Sequence, residues 1–241
     1  TPPYEILSGL VGSEMCIRDR SHSQPSGRIH GGETVNGLDN IQDLIAYCAR
    51  VSNPSNQANT KTTKKLLGYL IKHKHWSPFE MASACIEVKT TRDIARQFLR
   101  HRSFSFQEFS QRYADIRDLD DSIVIRKARL QDEKNRQNSV MTDDINLHMN
   151  WEQHQKIVWQ AAMKAYKWAI DNGIAKEQAR VVLPEGNTQS RLYVNGTIRS
   201  WIHYIELRSA NGTQKEHMDL AKAVAEAITK IFPTVKEYVN E

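Results

Sequence analysis

Apolar residues recur every three or four positions in several stretches of the chain, which is the spacing of a helix that buries one face. In the first stretch, Ile41, Leu44 and Cys48 share one side and Val51 extends it. The longest stretch ends at Asn172-Gly173, a pair typical of helix ends. The pattern predicts helices over about 39–51, 60–73, 91–100, 145–171, 197–209 and 213–231, with a further helical turn before Val181.

Strict alternation replaces the helical spacing between Ala82 and Lys89. Apolar side chains occupy every second position there, and this period of two predicts a strand. Shorter extended segments are predicted at 109–114, 122–128 and 188–195. Helices and strands are therefore interspersed, without an internal repeat, in what we expect to be one α+β domain.

The first 30 residues differ from the rest of the chain. They carry turn-forming residues such as Pro2, Pro3 and Gly27 without a sustained period. Residues 11–20 resemble translated sequencing-adapter read-through. We expect residues 1–30 to be a poorly structured or non-native tail, and residues 31–241 to form the domain.

The charge balance favours anionic partners such as nucleotides or phosphorylated cofactors. Lys and Arg number 33 against 28 Asp and Glu, which gives a net charge of +5 and a sequence pI near 9.0. The hydrophobic content of 39% and the mean hydropathy of −0.60 are low for a monomeric globule. Either a polar helical surface or a core completed by sister subunits would account for them.

The three cysteines, Cys16, Cys48 and Cys85, contain no C-x-x-C pair. Their spacing indicates neither a disulfide framework nor a zinc site, and we expect no metal. Cys48 and Cys85 lie on elements with an apolar pattern, which favours packing over catalysis. No apolar run approaches the length of a membrane span. We expect a cytoplasmic protein with no membrane partner.

The densest chemistry lies between Arg100 and Tyr113, where ionisable side chains alternate with aromatic ones. Arg100, His101 and Arg102 follow one another and would gain stability from facing an anion. Arginine suits phosphate because its planar guanidinium donates two parallel hydrogen bonds and keeps its charge. From composition alone, a solvated basic turn and an anion-binding site remain equally open.

This segment resembles the signature of the flavin-dependent thymidylate synthases, which reads Arg-His-Arg, seven residues, then Ser. Arg100-His101-Arg102 and Ser110 match that spacing, while Gln107 stands where the family more often has Asn. The wider pattern matches at Ser105, Glu108, Arg112 and Tyr113. Further matching segments are 49–52, 75–80, 97–100, 179–184 and 206–209. The resemblance therefore extends over about residues 40–220.

The resemblance implies a site for two nucleotides. For deoxyuridylate (dUMP) it implies Gln97, Arg100, Glu108, Ser110, Arg112, Arg180 and Arg208. For FAD it implies Ser52, Ser77, Glu80, Arg100, His101, Arg102, Glu108, Asn195, Arg199 and His203. His75 and Tyr113 would lie near the flavin and the folate. In the family these positions come from different subunits of a homotetramer, and the fold is α+β with a mixed sheet flanked by long helices.

The reaction implied by the resemblance is reductive methylation of deoxyuridylate to thymidylate. Methylenetetrahydrofolate supplies the carbon, and FAD reduced by NADPH supplies the hydride. The catalytic candidates are Arg208, Ser110, His75 and Tyr113. Of these, Arg208 is expected to favour ionisation of uracil at N3, because a fixed cation stabilises the anion. None of the cysteines follows a proline, as the nucleophile of the classical thymidylate synthase does.

Two other functions remain open at this point. A basic nucleic-acid-binding module would use the arginines of residues 92–112 for phosphates and Phe104, Phe106 and Tyr113 for base stacking. It would leave Glu80, Glu108 and the distant Arg180 and Arg208 segments without a task. An inactive nucleotide-binding relative is the second alternative, although every charged signature position is filled. We expect no nucleic-acid partner.

Overall fold

Seven α-helices and five β-strands are interspersed along residues 40–119 and 123–236, the part of the chain that the computed structural model describes. The helices are α1 (Ile41–Ala49), α2 (Thr63–Lys72), α3 (Arg92–Phe98), α4 (Ile145–Asp171), α5 (Lys176–Ala179), α6 (Ile198–Ser209) and α7 (Lys215–Ile231). The strands are β1 (Ser83–Thr91), β2 (Phe104–Glu108), β3 (Arg129–Gln131), β4 (Ser139–Met141) and β5 (Gln189–Thr197). The expected tail, residues 1–30 with Cys16, lies outside the described residues, so its boundary stays a prediction.

A three-stranded antiparallel sheet lies at the centre of the fold, with β5 between β1 and β2. Ser83 of β1 lies opposite Thr197 of β5, and Phe104 of β2 lies opposite Gly196. β3 and β4 form a separate antiparallel pair. The predicted α+β class is confirmed. The sheet, expected to be mixed, is antiparallel in every described pair.

One hydrophobic cluster joins this sheet to helices α1, α2, α3, α6 and α7. The alternation predicted for β1 places Ala84, Ile86 and Val88 in the core, each no more than 3% exposed. Trp201 of α6 is fully buried and donates a hydrogen bond from Nε1 to the Ala84 carbonyl at 3.1 Å. The indole N–H, a donor that would be costly to bury alone, therefore has a partner.

The long helix α4 buries one stripe and leaves another apolar surface exposed. Trp159, Tyr166 and Ala169 pack with Ile116 and Leu183 in a second, smaller cluster. Away from that stripe, exposed apolar side chains on α4 are Ile145, Leu147, Met149, Trp151, Ile157, Val158 and Trp168. We expect part of this exposed apolar area to lie in a protein–protein interface. None of the described helices combines the length and hydropathy that a membrane crossing requires.

The predicted helices are confirmed, with small shifts at their ends. α4 spans residues 145–171 as predicted. α1 begins at Ile41 because the Asn40 side chain caps it, accepting hydrogen bonds from the N–H groups of Gln42 and Asp43. Val51 lies beyond the end of α1 and is 68% exposed, so it does not extend the buried stripe.

The strand predicted at 109–114 is wrong. The strand in this region is β2, which ends at Glu108, and the residues after it form a turn. The N–H groups of Tyr113 and Ala114 both donate to the Ser110 carbonyl, at 3.0 and 2.9 Å. These local hydrogen bonds replace the pairing that a strand would need.

The strand predicted at 122–128 is also wrong in its described part. Residues 123–128 contribute a single bridge, between Ile123 and Thr188. The Gln155 side chain of α4 accepts a hydrogen bond from the Arg126 N–H at 2.9 Å and donates one to its carbonyl at 2.8 Å. Because a side chain satisfies this backbone, no partner strand is required.

A substitution at Gly196 tests the packing between the central sheet and α6. A Cβ at this position would overlap the ring of Phe104, which itself packs on Trp201 with ring centroids 4.5 Å apart. We expect Gly196→Ala to lower the free energy of unfolding by about 1–3 kcal/mol, as overpacking does. Chemical denaturation measures the change.

Gly186→Ala is the matched control. The nearest described atom to a Cβ at Gly186 is Nη1 of Arg126, at 3.9 Å, which is an ordinary contact. We expect this variant to remain within about 0.5 kcal/mol of the parent chain. Equal losses in the two variants would contradict the close approach of Gly196 to Phe104.

Candidate active site

The signature segment begins where α3 ends against the core. Phe98 is fully buried, and its carbonyl accepts a hydrogen bond from the His101 N–H at 2.9 Å. This turn brings His101 half-buried against the protein, while Arg100 and Arg102 remain exposed on either side of it. The histidine of the signature is therefore partly buried, whereas the arginines on either side of it lie at the surface.

His101 joins this turn to the last turn of α6. Nε of Arg208 donates a hydrogen bond to Nε2 of His101 at 2.9 Å. Burial lowers the pKa of His101 to about 4, and the charges of Arg208 and Arg100 contribute to the shift. At neutral pH the imidazole is therefore uncharged, with its proton on Nδ1. Because Nε of Arg208 is occupied, the terminal nitrogens of that guanidinium are the ones left for a ligand.

Two signature arginines have no anionic partner in the described part of the chain. Neither Arg100 nor Arg102 forms an ion pair with a residue of 40–119 or 123–236. With Arg208 nearby, they make a locally uncompensated positive surface around a neutral histidine. Such a surface is suited to binding a phosphate or another anion.

Glu108 lies at the end of β2 and is held by side chains from two elements, α3 and β5. Its carboxylate lies 3.2 Å from Nη1 of Arg96 and 3.6 Å from Nη1 of Arg92, both on α3. It also accepts a hydrogen bond from the Ser190 hydroxyl of β5 at 2.8 Å. Glu185 approaches the same two arginines, at 3.4 and 4.0 Å. Glu108 is therefore fixed in orientation, with part of its charge already compensated.

The loop after β2 lies against α5, and this contact brings Arg112 and Arg180 together. Nη2 of Arg112 is 3.2 Å from the carboxylate of Glu177, and Nε of Arg180 lies 3.4 Å from the backbone carbonyl of the same residue. Lys176 donates from Nζ to the Tyr113 carbonyl at 3.2 Å. Ser110, on the same loop, has an exposed side chain, as does Tyr113, which is 87% exposed.

Four of the predicted FAD residues lie around the start of α6. Arg199 forms an ion pair with Glu80, which belongs to the short 3-10 turn Ser77–Glu80. One turn further along α6, the ring of His203 packs edge-on against Trp76, with ring centroids 4.5 Å apart. Burial lowers the pKa of His203, as does the charge of Arg199.

Three further predicted residues lie on β5 and in the loops after α1 and α2. Asn195 is on β5, opposite Cys85 of β1 and Ser105 of β2. Ser52 and His75 are exposed in loops after α1 and α2. The His75 ring lies 6.2 Å from the ring of Tyr69.

Gln97 is partly buried, and its side chain is hydrogen-bonded to two residues that the sequence analysis missed. Its Nε2 donates to Oε1 of Gln214 at 2.6 Å, and its Oε1 lies 3.2 Å from Nδ1 of His217. His217 is fully buried, and burial lowers its pKa to about 3, with contributions from Arg208 and His101. A lone histidine on an amphipathic helix carries no motif, so this contact had no signal in the sequence.

The predicted arginines therefore form two groups within one chain. Arg100 and Arg208 flank His101, whereas Arg112 and Arg180 flank Glu177. No hydrogen bond or ion pair links the two groups within the described residues. In the same part of the chain, no three His, Cys, Asp or Glu side chains cluster in a way that would hold a metal ion. The chemistry available is that of anion binding and fixed positive charge.

Comparison with known proteins identifies the family of the chain. The family model described as thymidylate synthase complementing protein matches residues 34–234. The chain is 52% identical over 206 residues to a probable flavin-dependent thymidylate synthase of Paramecium bursaria Chlorella virus 1, covering 86% of this chain and 94% of the relative. It is 50% identical over 194 residues to the flavin-dependent thymidylate synthase of Synechocystis sp., covering 80% and 87%.

A solved structure shares the fold. The crystal structure of a UMP/dUMP methylase, PolB from Streptomyces cacaoi, bound with 5-Br dUMP, superposes with a TM-score of 0.71 at 27% identity. The match covers 82% of this chain and 89% of that one. The family match, the two close relatives and the common fold lead to one conclusion. The chain belongs to the thymidylate synthase complementing protein family, the flavin-dependent thymidylate synthases.

Proposed function

We propose that this chain converts deoxyuridylate to thymidylate by reductive methylation, with FAD as its cofactor. The observation that carries the proposal is the hydrogen bond from Arg208 to the neutral His101, between the exposed Arg100 and Arg102. It holds a guanidinium in a fixed direction at a surface where Arg100 and Arg102 pair with no carboxylate of the described residues. The names of the close relatives and of the PolB complex support the same reaction and substrate.

The residues present suit FAD. Its pyrophosphate needs cations, and Arg102 is exposed and forms no ion pair with a described residue. His101, with its proton on Nδ1, offers a neutral hydrogen-bond donor beside that cation. The proposed FAD-binding set is completed by Glu80, Arg199, Asn195, Ser52, Ser77 and His203. It also includes Arg100 and Glu108, which are proposed to contact deoxyuridylate as well. When bound, the reduced flavin supplies the hydride that completes the methyl group.

The proposed role of Arg208 follows from its fixed direction. Nε of Arg208 is tied to His101, so the terminal nitrogens of the guanidinium would be the ones that contact the nucleotide. A cation beside the uracil edge lowers the pKa of N3 and so favours the anionic ring, which is the more reactive form. The pyrimidine and sugar would be oriented by Gln97, Arg100 and Glu108. Protein contacts already hold Gln97 and Glu108, and Arg100 lies near His101.

The second group of arginines would bind the nucleotide phosphate from a neighbouring subunit. Arg112 and Arg180 both contact Glu177, and no described hydrogen bond or ion pair joins this surface to Arg208. A homotetramer would place that surface opposite Arg208 of another copy. The exposed apolar residues of α4 and the low hydrophobic content support such an assembly.

Methylenetetrahydrofolate and NADPH are the proposed co-substrates. The exposed Tyr113 and His75 are the aromatic and basic groups we assign to the folate and flavin side of the site. The cytoplasm stays the expected compartment, on the cysteine content alone. The domain boundary near residue 31 also stays a proposal.

The structure disfavours the nucleic-acid alternative. Arg92 is buried and pairs with Glu108 and Glu185, and Arg96 pairs with Glu108. Phe104 is buried in the core, so its ring offers no stacking surface. Because Arg112 also pairs with Glu177, three of the five cations and one of the three aromatic rings of that alternative are already occupied.

Arg102 allows a test of flavin binding with little risk to folding. Since this exposed side chain makes no described ion pair, Arg102→Ala should leave the melting temperature unchanged. Loss of a charge-assisted hydrogen bond to phosphate should weaken FAD binding roughly ten- to hundredfold. Visible absorbance and fluorescence titration of the apoprotein with FAD measure the affinity. A parent protein that is colourless and binds no FAD would overturn the proposal.

Arg208 allows a test of catalysis. We expect Arg208→Ala to lower kcat by roughly a hundred- to a thousandfold, as the loss of a preorganised transition-state donor does, with FAD retained. Anaerobic turnover with deoxyuridylate, methylenetetrahydrofolate and NADPH measures kcat. Arg136→Ala, an exposed arginine in the β3–β4 connection, is the matched control and should turn over normally. Normal turnover in Arg208→Ala would remove the assigned role.

A further inference from the structure

A row of hydrogen-bonded side chains runs from α7 to Gln97 on the inner side of the proposed site. Glu216 forms an ion pair with Arg129 at 2.5 Å and accepts a hydrogen bond from Nε2 of Gln214 at 3.0 Å. Oε1 of Gln214 accepts from Nε2 of Gln97 at 2.6 Å. Oε1 of Gln97 then lies 3.2 Å from Nδ1 of His217. We refer to these four residues, Glu216, Gln214, Gln97 and His217, as the polar chain.

The carboxylate of Glu216 sets the direction of every hydrogen bond in the polar chain. Burial alone would raise the pKa of Glu216, but hydrogen bonds from its own N–H, Arg129 and Gln214 lower it, so the group is an anion that only accepts. Gln214 must therefore present its amide nitrogen to Glu216 and its oxygen to Gln97. Gln97 in turn presents its nitrogen to Gln214 and its oxygen to His217. His217 is left as the donor, with its proton on Nδ1.

The surroundings of His217 fix it in place. The residue is fully buried, and its ring contacts those of Phe98, Tyr204 and His101, with centroids 5.8–6.2 Å away. Its Nε2 has no hydrogen-bond partner among the described residues, and the same holds for the Tyr204 hydroxyl beside it. A protonated imidazole would have to face Arg208 and the neighbouring His101 without a counter-ion, so the ring stays neutral.

We infer that His217 is a positioning residue for the proposed nucleotide site, acting through Gln97. This inference rests on the proposed function. Glu216 and Gln214 set which end of the Gln97 amide donates, and the hydrogen bond from His217 to the Gln97 oxygen holds the other end of that amide in place. One amide hydrogen and one carbonyl lone pair of Gln97 then remain in known positions for the nucleotide. A glutamine that is held in this way binds its ligand without first losing rotamer entropy.

Two substitutions of His217 separate positioning from packing. Asn at this position keeps an N–H donor close to where Nδ1 lies, whereas Leu fills much of the space and donates nothing. Thr234→Val is the matched control, because Thr234 is buried and donates to Oε1 of Gln42 at 2.5 Å, away from the site. All three variants remove or replace a buried hydrogen-bonding group, so all should lose some stability.

The measurement is the affinity for deoxyuridylate, from titration of the flavin absorbance in the holoenzyme, together with kcat at saturating nucleotide. We expect His217→Leu to raise the Kd about fivefold, the equivalent of one neutral hydrogen bond, with kcat changed by less than about twofold. His217→Asn should restore most of the affinity. Thr234→Val should bind as the parent does.

The outcomes distinguish this inference from the proposed function. A parent enzyme that binds no deoxyuridylate overturns the proposed function and the inference that rests on it. Normal binding by the parent with unchanged Kd in His217→Leu overturns the inference alone. The inference also fails if His217→Asn binds as weakly as His217→Leu, because packing would then explain both.

A measurement on the unsubstituted protein covers the case in which His217→Leu does not fold. Imidazole ¹⁵N chemical shifts report which ring nitrogen carries the proton. We expect His217 to be neutral and protonated at Nδ1. Protonation at Nε2 instead would overturn the inference, since Gln97 would then have no donor from this side.

Discussion

The hydrogen bond between Arg208 and His101 is the interaction on which the site depends. It joins the turn after α3 to the end of α6, two segments 107 residues apart in sequence. Its acceptor must be a bare ring nitrogen, so His101 is neutral although cations surround it. The core holds both elements in place, since Phe98 of α3 stacks on Tyr204 of α6 with ring centroids 4.5 Å apart. Aromatic packing thus determines where the positive charge of the site lies.

Hydrophobic periodicity was sufficient to predict most of the helices and strands. The 27-residue helix α4 and the strand β1 were predicted because a regular stripe or alternation persists over many residues. Residues 123–128 were wrongly predicted because a side chain, Gln155, takes the backbone hydrogen bonds that a neighbouring strand would have taken. Local pattern carries no information on such a distant partner. The turn at Ser110 was missed for a different reason, since its two local hydrogen bonds form in a segment that has no Gly or Pro to mark a turn.

The chemistry of the site was predictable where residues with charge lie close together in sequence. The segment from Arg100 indicated an anion site, and the structure adds that His101 is neutral and tied to Arg208. The supporting residues were not predictable, because their roles exist only after folding. His217 on α7 is a single histidine in an amphipathic helix, yet the fold seats it against Gln97. The role of Glu177 likewise could not be predicted, because the fold brings Arg112 beside it from a distant part of the sequence.

The central claim is that arginines from two copies of the chain close around one nucleotide. Subunit mixing tests it most directly. Differently tagged chains carrying Arg208→Ala or Arg180→Ala are co-expressed, and the mixed oligomer is isolated through both tags. If each site takes these two arginines from different chains, about a quarter of the sites in a random assembly regain both, and thymidylate synthesis reappears. A mixed oligomer as inactive as its parents would place both arginines in one chain and contradict the account.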